Sequence, residues 1–158
     1  MEQSSDSQLL AALAAEHAAL LNFVALLERE QGMLVENRTD RLLELSEQKT
    51  TDALSLNELA ETRRNLLQKN IPEFSVGAVH AWLAAHNPQG LAVWHKVLAL
   101  AEHARLLNRA NGELIQMKLR HNQQSLAVLS NAVNKANLYG SNGQPSFSPG
   151  SGRSLGSG

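Results

Sequence analysis

The sequence predicts an all-α protein: an antiparallel bundle of three long helices plus one short helix, with left-handed coiled-coil-like packing and a flexible C-terminal tail. Three observations predict it. Aromatic residues are only 4% of the 158 positions while 43% are hydrophobic, so the core must be built mainly from Leu, Ala and Val. Leu and Ala favour helix, whereas strands draw on β-branched and aromatic side chains. Apolar residues recur at alternating steps of three and four. Only four prolines occur, and two of them, Pro145 and Pro149, lie near the C-terminal end.

The first helix is expected over residues 6–35. Asp6 or Ser7 offers a short polar side chain to the free amides of its first turn. Leu10, Leu13, His17, Leu20, Val24, Leu27, Gln31 and Leu34 form a heptad stripe. Ala12, Ala19, Phe23 and Leu26 broaden it, which predicts more than one partner helix.

The run Asn37-Arg38-Thr39-Asp40 interrupts that pattern, with Asn37 as the expected cap of a second helix over 38–69. Leu42, Leu45, Lys49, Asp52, Leu56, Leu59, Arg63 and Leu66 share one stripe there, and three of the eight are charged. Either those charges reach the rim of the seam, or the seam is offset toward Leu43, Ala53, Leu54, Ala60 and Leu67. Pro72 disfavours helix at Ile71. Ser75 is placed to cap a short helix over 76–85 that carries Val79, Trp82 and Leu83.

Asn87-Pro88 opens the last helix, expected over 88–136, since proline fits a first helical turn. Leu91, Trp94, Leu98, Ala101, Arg105, Asn108, Gly112, Ile115, Leu119, Asn122, Leu126, Leu129 and Val133 keep the three-four alternation throughout. A sustained seven-residue repeat predicts a left-handed supercoil. Arg105, Asn108 and Gly112 place polar or small residues mid-stripe, flanked by Asn111. Such positions fix register at a cost in stability, or mark a weak point where a ligand helix docks. Two domains follow: a helical bundle over 1–136 and a Gly/Ser-rich tail over 137–158. The tail holds six glycines, six serines and two prolines, and buries too little apolar area to offset its ordering entropy.

The formal net charge of −1 gives no whole-chain footprint for nucleic acid. Cysteine is absent, which excludes disulfides and thiolate sites. The polar start, Met1 to Asp6, has no signal-peptide character, and no uninterrupted apolar run reaches the roughly 18 residues of a membrane span. A cytoplasmic protein without membrane insertion is expected. His17, His80, His86, His95, His103 and His121 lack the spacing of a helical metal motif, so no metal site is expected. Neither a phosphate-binding glycine loop nor a nucleophile elbow is present. Catalytic residues and cofactors are therefore expected to be none, and binding of other proteins is the expected activity.

Several stretches carry a resemblance. They are Leu26-Leu27-Glu28-Arg29-Glu30, Leu42-Leu43-Glu44-Leu45-Ser46-Glu47-Gln48-Lys49, Asn108-Arg109-Ala110-Asn111-Gly112 and Leu138-Tyr139-Gly140-Ser141-Asn142-Gly143-Gln144. The chain resembles the FlgN family of flagellar export chaperones across essentially its whole length. The resemblance implies a cytosolic chaperone that binds the C-terminal helices of the hook–filament junction proteins FlgK and FlgL. It also implies delivery of them to the flagellar export apparatus, through contacts with its gate and ATPase components. Tyr139 matches the family's tail tyrosine, associated with docking to the export gate.

The residues expected to meet partners are Asn108, Asn111, Gly112, Ile115, Leu119, Leu126, Leu129, Val133, Leu138 and Tyr139. The readings that compete are a scaffold that self-associates through its coiled coil, as in a homodimer, and a histidine phosphotransfer bundle using His103 or His121.

Overall fold

The structure, a computed structural model, describes the backbone of residues 2–138 and the side chains of residues 2–134. The described residues form four α-helices and no strand: α1 (Glu2–Val35), α2 (Leu42–Gln68), α3 (Val76–His86) and α4 (Pro88–Leu138). The chain divides into two units, one ending at Glu113 and one beginning at Leu114.

Helix α1 starts ahead of the expected cap. Ser7 lies inside the helix and its hydroxyl donates to the Gln3 carbonyl. The other end also differs from expectation. Asn37 stops α1 rather than starting α2: it takes a left-handed φ of 56°, while the amides of Asn37 and Arg38 donate back to the carbonyls of Leu34 and Met33. This is a Schellman ending, with asparagine in the position where glycine is commonest. Helix α2 then begins at Leu42 behind Arg41, which makes no side-chain cap.

Two later ends agree with their capping residues. The Ser75 hydroxyl accepts from the Ala78 amide at 3.0 Å. Asn87 closes α3 and opens α4: its amide donates to Leu83 and its side-chain oxygen accepts from the Gly90 amide at 2.9 Å. Pro88 then supplies a first-turn residue with no amide to satisfy. Gly90 sits in a tight place, where a Cβ would meet the Asn87 side chain at 3.2 Å and Leu83 at 3.3 Å.

In the first unit, all eight stripe positions of α1 are buried or half-buried, and so are all eight of α2. Of the offset positions Leu43 and Leu54 are exposed, whereas Ala53 and Ala60 are half-buried and Leu67 is fully buried in the core. One core cluster joins Leu9, Leu13 and Leu20 of α1 to Leu67, Ile71, Val79, Leu83, Trp94 and Val97. A second joins Val24 and Leu27 to Ala104.

Two of the three charged seam positions are paired across the helices, while Asp52 accepts from Gln48 within α2. Arg63 donates to Glu16 through Nε at 2.8 Å and Nη2 at 3.2 Å. Lys49 donates to Glu30 at 3.2 Å. Because 16 meets 63 and 30 meets 49, α1 and α2 run antiparallel. Arg63 also lies 4.7 Å over the Trp94 ring, so one guanidinium links three helices.

An 18-residue window of α1 has a mean hydropathy of 1.8, long and apolar enough to cross a membrane by length and composition. A core helix passes the same test, and here Leu9, Leu13, Leu20, Val24 and Leu27 are spent on the two clusters.

Candidate partner-binding surface

The stripe predicted for α4 divides at Leu98. Leu91, Trp94 and Leu98 are at least half-buried, but Ala101, Arg105, Asn108 and Gly112 are exposed. The packed face is displaced by about one residue, through Trp94, Val97, Ala104 and Asn111. Both faces pass through Trp94. A step of three to Val97, rather than four to Leu98, selects the register, and it brings the small Ala104 against Val24 and Leu27.

Of the three asparagine and glycine positions expected to meet partners, only Asn111 is inside. It is 0% exposed. Its side-chain amide donates to the Leu27 carbonyl and to Glu30, each at 2.9 Å. Glu30 therefore bridges Asn111 and Lys49 across three helices. Among the described residues the Asn111 side-chain oxygen has no hydrogen-bond partner. Asn111 thus serves the packing of α4, while Asn108 and Gly112 lie outside, and a Cβ on Gly112 would meet nothing within 4 Å.

The second unit carries a run of exposed apolar residues on one helix, while those exposed in the first unit, such as Leu21, Leu43, Leu54 and Phe74, are scattered over several elements. Ile115 (37% exposed), Leu119, Leu126 (65%), Leu129 and Val133 (57%) keep their three-four spacing and are all exposed, with Met117 and Val128 exposed beside them. Between Leu114 and Asn134 the sequence has Lys118, Arg120 and His121 and no acidic residue. Helix α4 runs on to Leu138, two residues into the tail expected over 137–158, and Tyr139 with the rest of that tail lies outside the described residues.

Elsewhere, a groove of about 570 Å³ runs between α1 and α2, lined by Leu26, Arg29, Met33, Arg41, Glu44 and Asp52 among others. Its walls mix both charges and do not converge on an acid–base pair. His103 reaches Glu28 at 3.8 Å, both exposed. Among the described residues no group of three or more His, Asp or Glu is placed to hold a metal ion. Exposed Glu102 has its carboxyl held below the usual range by hydrogen bonds from Arg105 and by that cation's charge.

The family model described as FlgN protein matches residues 1–146. The Flagella synthesis protein FlgN of Yersinia enterocolitica is 34% identical over 131 residues, covering 81% of this chain and 82% of the relative. The Flagella synthesis protein FlgN of Yersinia enterocolitica serotype O:8 / biotype 1B gives the same figures. No solved structure matches the chain.

Proposed function

The chain belongs to the FlgN family, and from that premise we propose that it is a cytosolic flagellar secretion chaperone for the hook–filament junction proteins FlgK and FlgL. The observation that carries the reading is the exposed stripe Ile115–Leu119–Leu126–Leu129–Val133. A helix whose apolar residues keep heptad spacing yet face solvent is half of a helix–helix interface. An amphipathic client helix laid along it would supply the other half. Burying a fully exposed Leu, Ile or Val contributes about 1.5–3 kcal/mol; these residues are 37–65% exposed, so each contributes a part of that, from which the ordering cost of association is subtracted.

In this reading the three long helices and α3 form an antiparallel bundle with left-handed coiled-coil-like packing, and α1 is its core helix rather than a membrane span. The first unit is the stable base, held by the Glu16–Arg63 and Glu30–Lys49–Asn111 links. The client covers the stripe, and Tyr139, which the family match includes, engages the export gate or its associated ATPase complex. No chemistry is required of the chaperone, so it acts without catalytic residues or cofactor.

Titration calorimetry with the C-terminal helical fragments of FlgK and FlgL tests the proposal. Saturable binding that Leu126→Asp abolishes supports it, and absence of heat with both fragments rejects it. The same exposed stripe also suits a self-associating scaffold. That alternative requires a concentration-dependent homodimer, whereas a monomer by light scattering at micromolar concentration speaks for the chaperone.

A further inference from the structure

Two histidines that the chaperone reading does not use are brought together where α3 meets α4. His80 and His95 are both exposed, and their rings stack with centroids 5.1 Å apart and planes 20° apart. His80 Nδ1 lies 3.1 Å from His95 Nε2. The pair has no sequence signature. The two residues are fifteen positions apart on different helices, so no i,i+4 spacing announces them. The fold fixes the backbones that carry them. Val79, beside His80, and Trp94, beside His95, belong to the same buried cluster. The Asn87–Gly90 cap sets the turn between the two helices.

We propose that His80 and His95 form a two-histidine site for a borderline divalent transition-metal ion of the zinc type. Imidazole nitrogens are the ligands such ions prefer. Zinc–nitrogen bonds are about 2.0–2.1 Å, so two nitrogens on one ion stand about 2.9 Å apart at a right angle and about 3.3 Å at the tetrahedral angle. The observed 3.1 Å is the hydrogen-bond distance of the empty pair, and it leaves the two nitrogens near enough to share one ion once the rings turn. In the empty pair one ring nitrogen donates its hydrogen to the other. On metal binding that ring carries its hydrogen on the outward nitrogen, His80 Nε2 or His95 Nδ1, so both facing nitrogens offer lone pairs and no net proton is released. The stacked rings must turn about χ2 for the lone pairs to converge. That torsion is broad, and both rings are at the surface. Two protein ligands leave the remaining positions to water. Occupancy would tie α3 to α4 and stabilise the folded chain by mass action.

This site is independent of the chaperone reading. The test uses the tag-free full chain and zinc chloride. Calorimetry should show one saturable site at micromolar zinc, with a matching rise in melting temperature. His80→Ala and His95→Ala, each checked for helix content by circular dichroism, should each weaken binding by more than about tenfold, since even outer-shell partners contribute about that much. His103→Ala and His121→Ala should leave it unchanged. In the unmutated chain, the ring nitrogen resonances of His80 and His95 alone should shift with zinc. No binding below millimolar zinc, binding that survives both alanine variants, or shifts centred on other histidines would each overturn the proposal.

Discussion

Asn111 of α4 donates a 2.9 Å hydrogen bond to Glu30 of α1, and both side chains are almost wholly buried, at 0% and 6% exposure. The contact sits at the C-terminal end of the first unit, just before the exposed stripe begins. A buried carboxylate needs its donors, so this contact and Lys49 together hold the last packed turn of α4 in register.

Replacing Asn111 with Ala removes one donor from Glu30 and should destabilise the chain by about 1–3 kcal/mol in urea unfolding. Asn111→Asp should be worse, because it sets a second carboxylate against Glu30 and the Leu27 carbonyl with no donor between them.

Arg63→Ala leaves Glu16 buried without its bidentate partner and uncovers the Trp94 ring. A loss of about 3–5 kcal/mol is expected. The pair Glu16→Leu with Arg63→Met should recover most of it, because well-packed apolar residues often replace a buried ion pair without loss. A double-mutant cycle by urea denaturation checks both.

The two helical glycines of α4 should respond in opposite ways. Gly112→Ala meets open space and should stabilise the chain by about 1 kcal/mol. Gly90→Ala presses on the Asn87 cap and Leu83 and should destabilise it. Melting temperatures of the two variants give the signs directly.

Glu102 should titrate below an ordinary glutamate, because Arg105 hydrogen-bonds and neutralises its carboxylate. A depressed folded pKa means that the stabilisation is present at neutral pH and is lost as pH falls through that value. NMR titration should find the Glu102 midpoint moved up toward the ordinary value in Arg105→Ala.

The stripe of the first helix was legible in the sequence, and of the two seams left open for the second, every position of the one through Lys49 and Arg63 is at least half-buried. The paired charges of their seam also have a signature in the sequence. Glu16 and Glu30 are fourteen residues apart on α1, and Lys49 and Arg63 are fourteen apart on α2. That is two heptads in each, which matches acids to bases in an antiparallel pair. Asn37 misled because asparagine suits both a helix start and a left-handed stop, and only the chain path decides.

In α4, two stripes one residue apart are both amphipathic. The heptad count favoured the one through Arg105 and Asn108, while packing chose the one through Ala104 and Asn111. For that reason the expected partner residues separate into a buried Asn111 and an exposed set from Ile115 onward. The His80–His95 pair was invisible to spacing because it forms only when two helices meet.

Hydrogen exchange on the full chain, with and without the C-terminal helical fragment of a junction protein, tests the central claim most directly. The account predicts that slowed amide exchange appears across residues 115–133 of α4 and that Leu126→Asp removes it while α1 and α2 keep their protection. Protection confined to the groove between α1 and α2, or none on α4 despite a bound fragment, would contradict it.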